Sequence, residues 1–154
     1  MKEYISKSEQ ETENIAYEFA KTLNNKSIIV LDGDLGAGKT KFVYGLAKYF
    51  NISNLVCSPT FTIVNEYPVP SNDNVSNIYH FDVYRLSGSD DFIDSIGTEY
   101  FDKGLCIIEW GKIIEDILPP YTTYIHIEHL PEEDNVRKIS IYEKGDVIQW
   151  TYLE

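Results

Sequence analysis

The segment Gly33–Thr40, which reads Gly-Asp-Leu-Gly-Ala-Gly-Lys-Thr, constrains this chain more than any other. It matches the pattern G-x-x-x-x-G-K-[ST], whose glycines let successive backbone N–H groups point at phosphate oxygens. A β-branched run at 27–31 precedes it, and an amphipathic helical pattern follows from Lys39 to Phe50. Because this is the strand–loop–helix context of a phosphate-binding P-loop, the segment predicts a site for a nucleoside triphosphate.

Two side chains of the motif have separate expected roles. Lys39 is expected to reach the β- and γ-phosphates, and the Thr40 hydroxyl is expected to ligate Mg²⁺. The positive end of the following helix dipole favours the same anion. The remaining positions are expected to hold the phosphates through their backbone: Gly33, Asp34, Leu35, Gly36, Ala37 and Gly38.

Size and charge exclude several classes of protein. A chain of 154 residues suits a single domain spanning 1–154. Its net charge is −12, from 13 Lys and Arg against 25 Asp and Glu. This charge argues against a protein that binds nucleic acid or a membrane surface directly. No apolar run approaches the roughly 20 residues of a membrane span, and the polar N-terminus lacks the apolar centre of a signal peptide. We therefore expect a cytoplasmic protein.

Helical and strand patterns alternate early in the chain, and strand patterns dominate late. This order predicts an α/β sandwich with a mixed sheet. The run at 104–110 is almost continuously apolar, which is typical of a central strand buried on both faces. The predicted helices lie at 8–24, 39–50, 89–101 (one or two short helices) and 111–118, and the strands at 27–32, 60–67, 77–83, 104–110, 124–128, 136–142 and 147–152.

The first helix has its own start signal. Ser8 followed by Glu11 three residues later reads as a capping box. Ile15, Phe19 and Leu23 recur at intervals of four and predict one apolar stripe.

Two carboxylates end apolar strand patterns, Asp82 and Glu109. Ligands of open α/β sheets sit at the carboxyl ends of strands, so both are candidates for the second acidic group that a P-loop site needs. One could hold Mg²⁺ through a water while the other positions the attacking water. Spacing leaves this division open, and either residue could instead cap a helix or form an ion pair.

Three other features each allow two interpretations. Ser58-Pro59-Thr60 suits either a segment that senses the γ-phosphate or a turn that starts a strand. Arg85 suits either a phosphate contact or a local ion pair. Trp110 suits either stacking on a base or partner, or a place in the core.

The remaining reactive side chains predict structure more than chemistry. His80 is expected to support its strand by packing or hydrogen bonding. His126 and His129 are three apart in a strand and hence on opposite faces, which argues against a shared zinc. Cys57 and Cys106 are expected to be buried free thiols.

Four sequence blocks together resemble the TsaE (YjeE) family of small bacterial P-loop ATPases. They are Gly33–Thr40, Ser58–Tyr67 (Ser-Pro-Thr-Phe-Thr-Ile-Val-Asn-Glu-Tyr), His80–Leu86 (His-Phe-Asp-Val-Tyr-Arg-Leu) and Ile108–Trp110 (Ile-Glu-Trp). The P-loop alone is unspecific, whereas the four blocks in this order are specific, and they cover essentially the whole chain. The resemblance implies a P-loop NTPase-like three-layer sandwich with a mixed, mainly parallel central sheet and antiparallel C-terminal strands.

The resemblance also implies a function. In the family, ATP binding and hydrolysis support the formation of N6-threonylcarbamoyladenosine in tRNAs that read ANN codons. The partner is the TsaB–TsaD heterodimer, so this chain would meet tRNA only indirectly and would not need a membrane.

The resemblance assigns roles to individual residues. Glu109 would join Thr40 at Mg²⁺, Asp82 would be the hydrolytic carboxylate, and Ser58-Pro59-Thr60 would be switch-like. Thr12 and Arg137 would contact the nucleotide, although both lie outside the strong motifs. The family often has a second threonine after Thr40, where this chain has Lys41.

Two other functions compete with a partner-dependent ATPase. A small-molecule kinase normally closes arginines over the transferred phosphoryl group, and this chain has only Arg85 and Arg137. A non-enzymatic nucleotide-dependent binding module would keep the P-loop but lack hydrolytic carboxylates, whereas Asp82 and Glu109 are both present.

Overall fold

The computed structural model describes residues 1–33, 38–55, 64–131, 133 and 135–144. The strands are β1 (Lys2–Ser6), β2 (Ile28–Gly33), β3 (Val64–Pro68), β4 (Asn77–Asp82), β5 (Leu105–Glu109), β6 (Thr123–His129) and β7 (Arg137–Glu143). The helices are α1 (Glu9–Ala20), α2 (Lys39–Phe50) and α3 (Ser89–Ser95), with 3₁₀ segments at Glu99–Asp102 and Gly111–Ile117. The predicted last strand at 147–152 lies outside the described residues.

The described strands form one mixed sheet in the order β1-β7-β6-β2-β5-β4-β3. The four central strands, β6, β2, β5 and β4, are parallel. β3 is antiparallel to β4, β7 to β6, and β1 to β7. The predicted α/β class with a mainly parallel centre is thereby confirmed.

Two apolar clusters make the sheet the middle of three layers. On one face Leu31, Ile107 and Ile127 pack with α1 and α2. On the other face Val30 and Ile108 pack with α3 and the 3₁₀ segments. Every residue of β5 is buried, which confirms its predicted central position. No helix in the described part of the chain is long and apolar enough to cross a membrane.

The predicted capping of α1 is confirmed in a shifted form. The Ser8 side chain accepts a hydrogen bond from the Glu11 backbone N–H at 3.1 Å. The Glu11 carboxylate reaches back one residue further than in a standard capping box, to the Lys7 backbone N–H at 2.6 Å. Both contacts satisfy backbone donors around the start of the helix.

The apolar stripe predicted for α1 packs against the core, but it is not the most buried face of the helix. α1 ends at Ala20, so Leu23 is buried beyond the helix, and Ile15 and Phe19 are only partly buried. The fully buried face carries small side chains instead: Thr12, Ala16 and Ala20. The reason is the close approach of α2, whose Gly45 faces Ala16 and the Glu13 carbonyl.

Two elements departed from the sequence prediction. β1 was missed because only Ser6 of its five residues is buried, so the strand shows no apolar alternation. It is an edge strand held by backbone pairing with β7. The segment predicted as a helix at 111–118 is a 3₁₀ segment, Gly111–Ile117, with a kink at Ile114.

A substitution at the contact between α1 and α2 tests this packing. A Cβ on Gly45 would meet the carbonyl oxygen of Glu13 and the methyl group of Ala16. We expect Gly45→Ala to lower the free energy of unfolding by about 1–3 kcal/mol, as overpacking commonly does. Urea-induced unfolding followed by fluorescence measures the change. Lys48→Ala on the exposed side of α2 is the control, and equal stability of the two variants would contradict the close packing.

Candidate functional site

The two ends of the P-loop are held by the fold. Gly33 ends β2, and Gly38 caps the N-terminus of α2 with a φ of 108°. The Phe42 backbone N–H donates to the Gly38 carbonyl at 3.0 Å, so the helix starts directly at Lys39 and Thr40. The four residues between, 34–37, lie outside the described residues.

The close approach of β6 requires a glycine at position 33. Gly33 pairs with Ile127 of β6 and has a φ of 144°. A Cβ at this position would meet the Ile127 carbonyl oxygen. The end of β2 is therefore in direct backbone contact with β6. This contact restricts the direction in which the chain leaves β2.

Strand register brings the two candidate carboxylates together. Leu31 of β2 pairs with Glu109 of β5, and Glu109 pairs with Asp82 of β4. Because paired residues of a sheet point to the same face, Asp82 and Glu109 share the face of Leu31. That face is covered by α2, whose N-terminus carries Lys39 and Thr40.

Glu109 is a buried carboxylate with a buried histidine beside it. Only 4% of Glu109 is exposed, and its Oε2 lies 3.0 Å from Nε2 of His80. His80 is fully buried two residues before Asp82 on β4. The expected supporting role of His80 is confirmed as a hydrogen bond to Glu109.

Asp82 is more open than Glu109. Its side chain is half-buried, and its Oδ1 accepts the Tyr84 backbone N–H at 3.0 Å, which closes a turn after β4. Trp110, directly after Glu109, is 54% exposed and has a φ of 64°. The interpretation of Trp110 as a core residue is therefore wrong. Its ring lies 4.8 Å from that of Tyr84, which is 61% exposed.

A small cleft beside the start of α2 contains the two weaker candidates. Thr12 and Arg137 line it together with Gly38. The Thr12 hydroxyl is buried 2.7 Å from that of Ser6. Four further residues line the cleft, and sequence reasoning named none of them as part of a site: Ser8, Glu9, Lys41 and Asn135.

The sequence gives a signal for Lys41 but none for Asn135. Lys41 directly follows the P-loop motif on the helix, and this position indicates that it lies beside the phosphate site. Asn135 precedes a late strand, and nothing local marked it.

An ion-pair network on the opposite face of the sheet was also missed. Oδ2 of Asp32, the residue before Gly33, lies 3.0 Å from Nδ1 of His126 and 3.0 Å from Nζ of Lys112. The His126 hydrogen bond, with help from Lys112, holds the pKa of the Asp32 carboxyl well below its usual range. The same hydrogen bond raises the pKa of His126.

The other candidates contribute less. Arg85 is exposed. Cys106 is a buried free thiol, as expected, and burial raises its pKa to about 12. Cys57 and the segment Ser58-Pro59-Thr60 lie outside the described residues.

A larger cleft of about 630 Å³ lies away from these residues. It is mainly apolar and runs between α1 and the strands β1 and β7, beside Thr123 and Glu143. Thr123 starts β6, so this cleft opens at the amino ends of the parallel strands. The P-loop lies at the opposite edge of the sheet.

A strand, a P-loop and a helix on a mixed sheet, with carboxylates at the ends of the neighbouring strands, define a P-loop NTPase fold. The solved structure described as "Crystal structure of Bacillus subtilus YdiB" is similar, with a TM-score of 0.72 and 35% sequence identity. The alignment covers 97% of this chain and 89% of that one.

Sequence comparison identifies the family. The model for "Threonylcarbamoyl adenosine biosynthesis protein TsaE" matches residues 6–139, and this chain belongs to that family. The chain is 40% identical over 139 residues to the tRNA threonylcarbamoyladenosine biosynthesis protein TsaE of Bacillus subtilis (strain 168), covering 89% of this chain and 82% of that protein. It is 38% identical over 146 residues to the protein of the same name from Aquifex aeolicus (strain VF5), covering 94% and 98%. The family resemblance seen in the four sequence blocks is confirmed.

The contact between His80 and Glu109 predicts a cost in stability. We expect His80→Ala to lower the free energy of unfolding by about 1–3 kcal/mol, because it removes a hydrogen-bonding neighbour from a buried carboxylate. Urea unfolding at neutral pH measures this change.

The matched control is His129→Ala, since His129 is exposed at the end of β6. Its effect should stay within about 0.5 kcal/mol, as for most surface substitutions. If the two variants lost the same free energy of unfolding, the predicted stabilisation by the contact between His80 and Glu109 would be contradicted.

Proposed function

We propose that residues 1–154 act as one Mg²⁺-dependent P-loop ATPase domain in the formation of N6-threonylcarbamoyladenosine in tRNAs that read ANN codons. ATP hydrolysis supports the turnover of a TsaB–TsaD heterodimer in the cytoplasm. The observation that carries the proposal is the strand register that sets Asp82 and Glu109 side by side on the α2 face. The P-loop starts from the neighbouring strand β2 on the same sheet.

The donor set suits Mg²⁺. Mg²⁺ prefers oxygen ligands and commonly uses one or two carboxylates together with phosphate oxygens. Thr40 would supply a hydroxyl oxygen and Glu109 a carboxylate, directly or through a water. His80 holds Glu109 at 3.0 Å in the way that outer-shell partners orient a ligand. Bound Mg²⁺ would neutralise charge on the β- and γ-phosphates.

The chain's own groups account for the rest of the chemistry. Lys39 and the backbone N–H groups around it would hold the phosphates of ATP against the N-terminus of α2. Asp82 would orient the water that attacks the γ-phosphate. The Tyr84 backbone N–H donates to one Asp82 oxygen, which leaves the other oxygen for the water.

The cleft beside α2 would receive the nucleoside part of ATP. Thr12, Gly38 and Arg137 line it within one small volume. The Ser6 hydroxyl donates to the Ser8 carbonyl at 2.8 Å, so Thr12 is the donor in the contact between the two hydroxyls. The Thr12 oxygen then keeps a lone pair that can accept a further hydrogen bond.

Two features support action through a protein partner. The net charge of −12 is unsuited to holding tRNA phosphates directly. The exposed pair Tyr84 and Trp110 follows the candidate carboxylates Asp82 and Glu109 directly, and large exposed aromatics are typical anchors of protein interfaces. A partner that covers this pair would close over the site and complete it.

A small-molecule kinase is the alternative function. Arg85 is exposed and Arg137 lines the cleft beside α2, which leaves no arginine-rich lid in the described part of the chain. The family and the relatives named TsaE do not favour a kinase. Phosphorylation of a small acceptor without any partner would support the kinase, whereas hydrolysis stimulated by TsaB–TsaD would exclude it.

Conservative substitutions at the site should separate binding from hydrolysis. We expect Asp82→Asn to lower ATP hydrolysis by about 10²–10⁴-fold with nucleotide affinity little changed, because its carboxylate acts in the transition state. We expect Thr40→Ala and Glu109→Gln to weaken the Mg²⁺ dependence of both binding and hydrolysis. Phosphate release in the presence of TsaB–TsaD and titration with a fluorescent nucleotide measure the two properties.

Asp116→Asn is the control for these variants, since Asp116 is an exposed carboxylate on the 3₁₀ segment Gly111–Ile117. It should hydrolyse ATP at the wild-type rate. Hydrolysis at the wild-type rate by Asp82→Asn would overturn the role of Asp82. Nucleotide affinity of the wild type that does not depend on Mg²⁺ would overturn the metal site.

The exposed aromatic pair predicts a separate effect on the partner. We expect Trp110→Ala to weaken binding to TsaB–TsaD by at least tenfold, as loss of a buried aromatic anchor commonly does. The affinity of the variant for nucleotide alone should change little. Calorimetric titration measures both, with the exposed Tyr121→Ala as the control. Unchanged partner affinity would exclude this pair from the interface.

A further inference from the structure

We propose that Asp32 is a positioning residue that fixes the start of the P-loop through its ion pairs with His126 and Lys112, and so strengthens nucleotide binding. This inference rests on the proposed nucleotide site. It concerns the face of the sheet opposite to Asp82 and Glu109, where the site described so far has no residue.

Asp32 lies where the P-loop strand ends. Asp32 is the last residue before the P-loop motif and pairs with His126 in register. The next pair, Gly33 with Ile127, is the close backbone contact that admits no Cβ. The β2 strand is therefore attached to β6 by a side-chain contact and a backbone contact at the two residues where the P-loop begins.

Three separate elements meet at one carboxylate oxygen of Asp32. Oδ2 of Asp32 lies 3.0 Å from both Nδ1 of His126 on β6 and Nζ of Lys112. Lys112 belongs to the 3₁₀ segment Gly111–Ile117, three residues after Glu109. The carboxylate thus joins the P-loop strand to the segment that follows the candidate metal ligand.

Asp32 and His126 are both partly buried. Asp32 is 28% exposed and His126 is 30% exposed, so solvent screens this pair less than an ordinary surface pair. Lys112 is 60% exposed and is the weaker partner. The contact to His126 should therefore contribute most of the positioning.

The charge state of His126 controls the strength of the attachment. Its other ring nitrogen, Nε2, lies 3.3 Å from Oε2 of Glu128 on the same strand. Only a protonated imidazole donates from both nitrogens, so the cation is the form that satisfies both carboxylates. Asp32 on β2 and Glu128 are the charged groups that act on His126. Glu115 on the 3₁₀ segment and Tyr142 on β7 act on Lys112, the second partner of Asp32.

The sign of the pH dependence follows from these contacts. The hydrogen bond to Asp32 raises the pKa of His126, so the attachment is complete at low pH and weakens as pH rises through that raised pKa. Nucleotide affinity should weaken in the same window. Titration of the nucleotide's own phosphates affects every variant equally and cancels in the comparison.

The test compares Asp32→Asn, His126→Gln and Lys112→Gln with the wild type. Binding of a fluorescent ATP analogue with Mg²⁺ is measured between pH 6 and pH 9, together with thermal unfolding. We expect Asp32→Asn to weaken binding on the order of three- to tenfold at pH 6.5, with a smaller loss for Lys112→Gln. The pH dependence attributed to His126 should disappear in Asp32→Asn and in His126→Gln.

Glu18→Gln is the matched control, because Glu18 forms an ion pair at 2.9 Å with Lys21 on the outside of α1. It makes the same change of charge and should bind nucleotide like the wild type. Tighter binding by Asp32→Asn would show that its charge only repels phosphate, which would overturn the proposal. A lower unfolding temperature with unchanged affinity would also overturn it, since Asp32 would then be merely structural. If the wild type bound no nucleotide, the proposed function itself would fail, and this inference with it.

Discussion

The parallel pairing of β2, β5 and β4 in one register is the constraint on which the candidate site depends. It sets Leu31 beside Glu109 and Glu109 beside Asp82. Parallel strands all end at one edge, and side chains alternate between faces, so a shift of one residue in β4 or β5 would turn the carboxylate of that strand away from α2. The apolar side chains that bury β5 on both faces fix this register, and the same burial that stabilises the sheet therefore places the carboxylates.

Polar contacts lie on both faces of the sheet near the end of β2. On the α2 face lie the buried Glu109 and its neighbour His80. On the opposite face Asp32 contacts β6 and the 3₁₀ segment Gly111–Ile117. Close approach to Ile127 restricts Gly33 in the plane of the sheet. A phosphate-binding loop gains from such confinement, because backbone donors that are already oriented lose less entropy when an anion binds.

Much of the fold was predictable, because β2, α2 and β5 have strong local patterns. β1 was missed because backbone pairing, which no side-chain pattern shows, holds this edge strand. The apolar stripe on α1 was predicted, whereas its small buried face was missed, because only the close approach of Gly45 on α2 requires small residues there. Sequence order indicated Asp82 and Glu109 as candidates, whereas only the register shows that they are neighbours. Asp32 and His126 are 94 residues apart, and no local signal links them.

The proposed function requires that Asp82 and Glu109 face the terminal phosphate of a nucleotide held at the N-terminus of α2. A crystal structure of the chain with Mg²⁺ and a non-hydrolysable ATP analogue tests this placement. We expect phosphates against the backbone of the P-loop, with Mg²⁺ near Thr40 and Glu109 and with Asp82 facing the γ-phosphate. A nucleotide bound on the opposite face of the sheet, or in the apolar cleft beside β1, would contradict it.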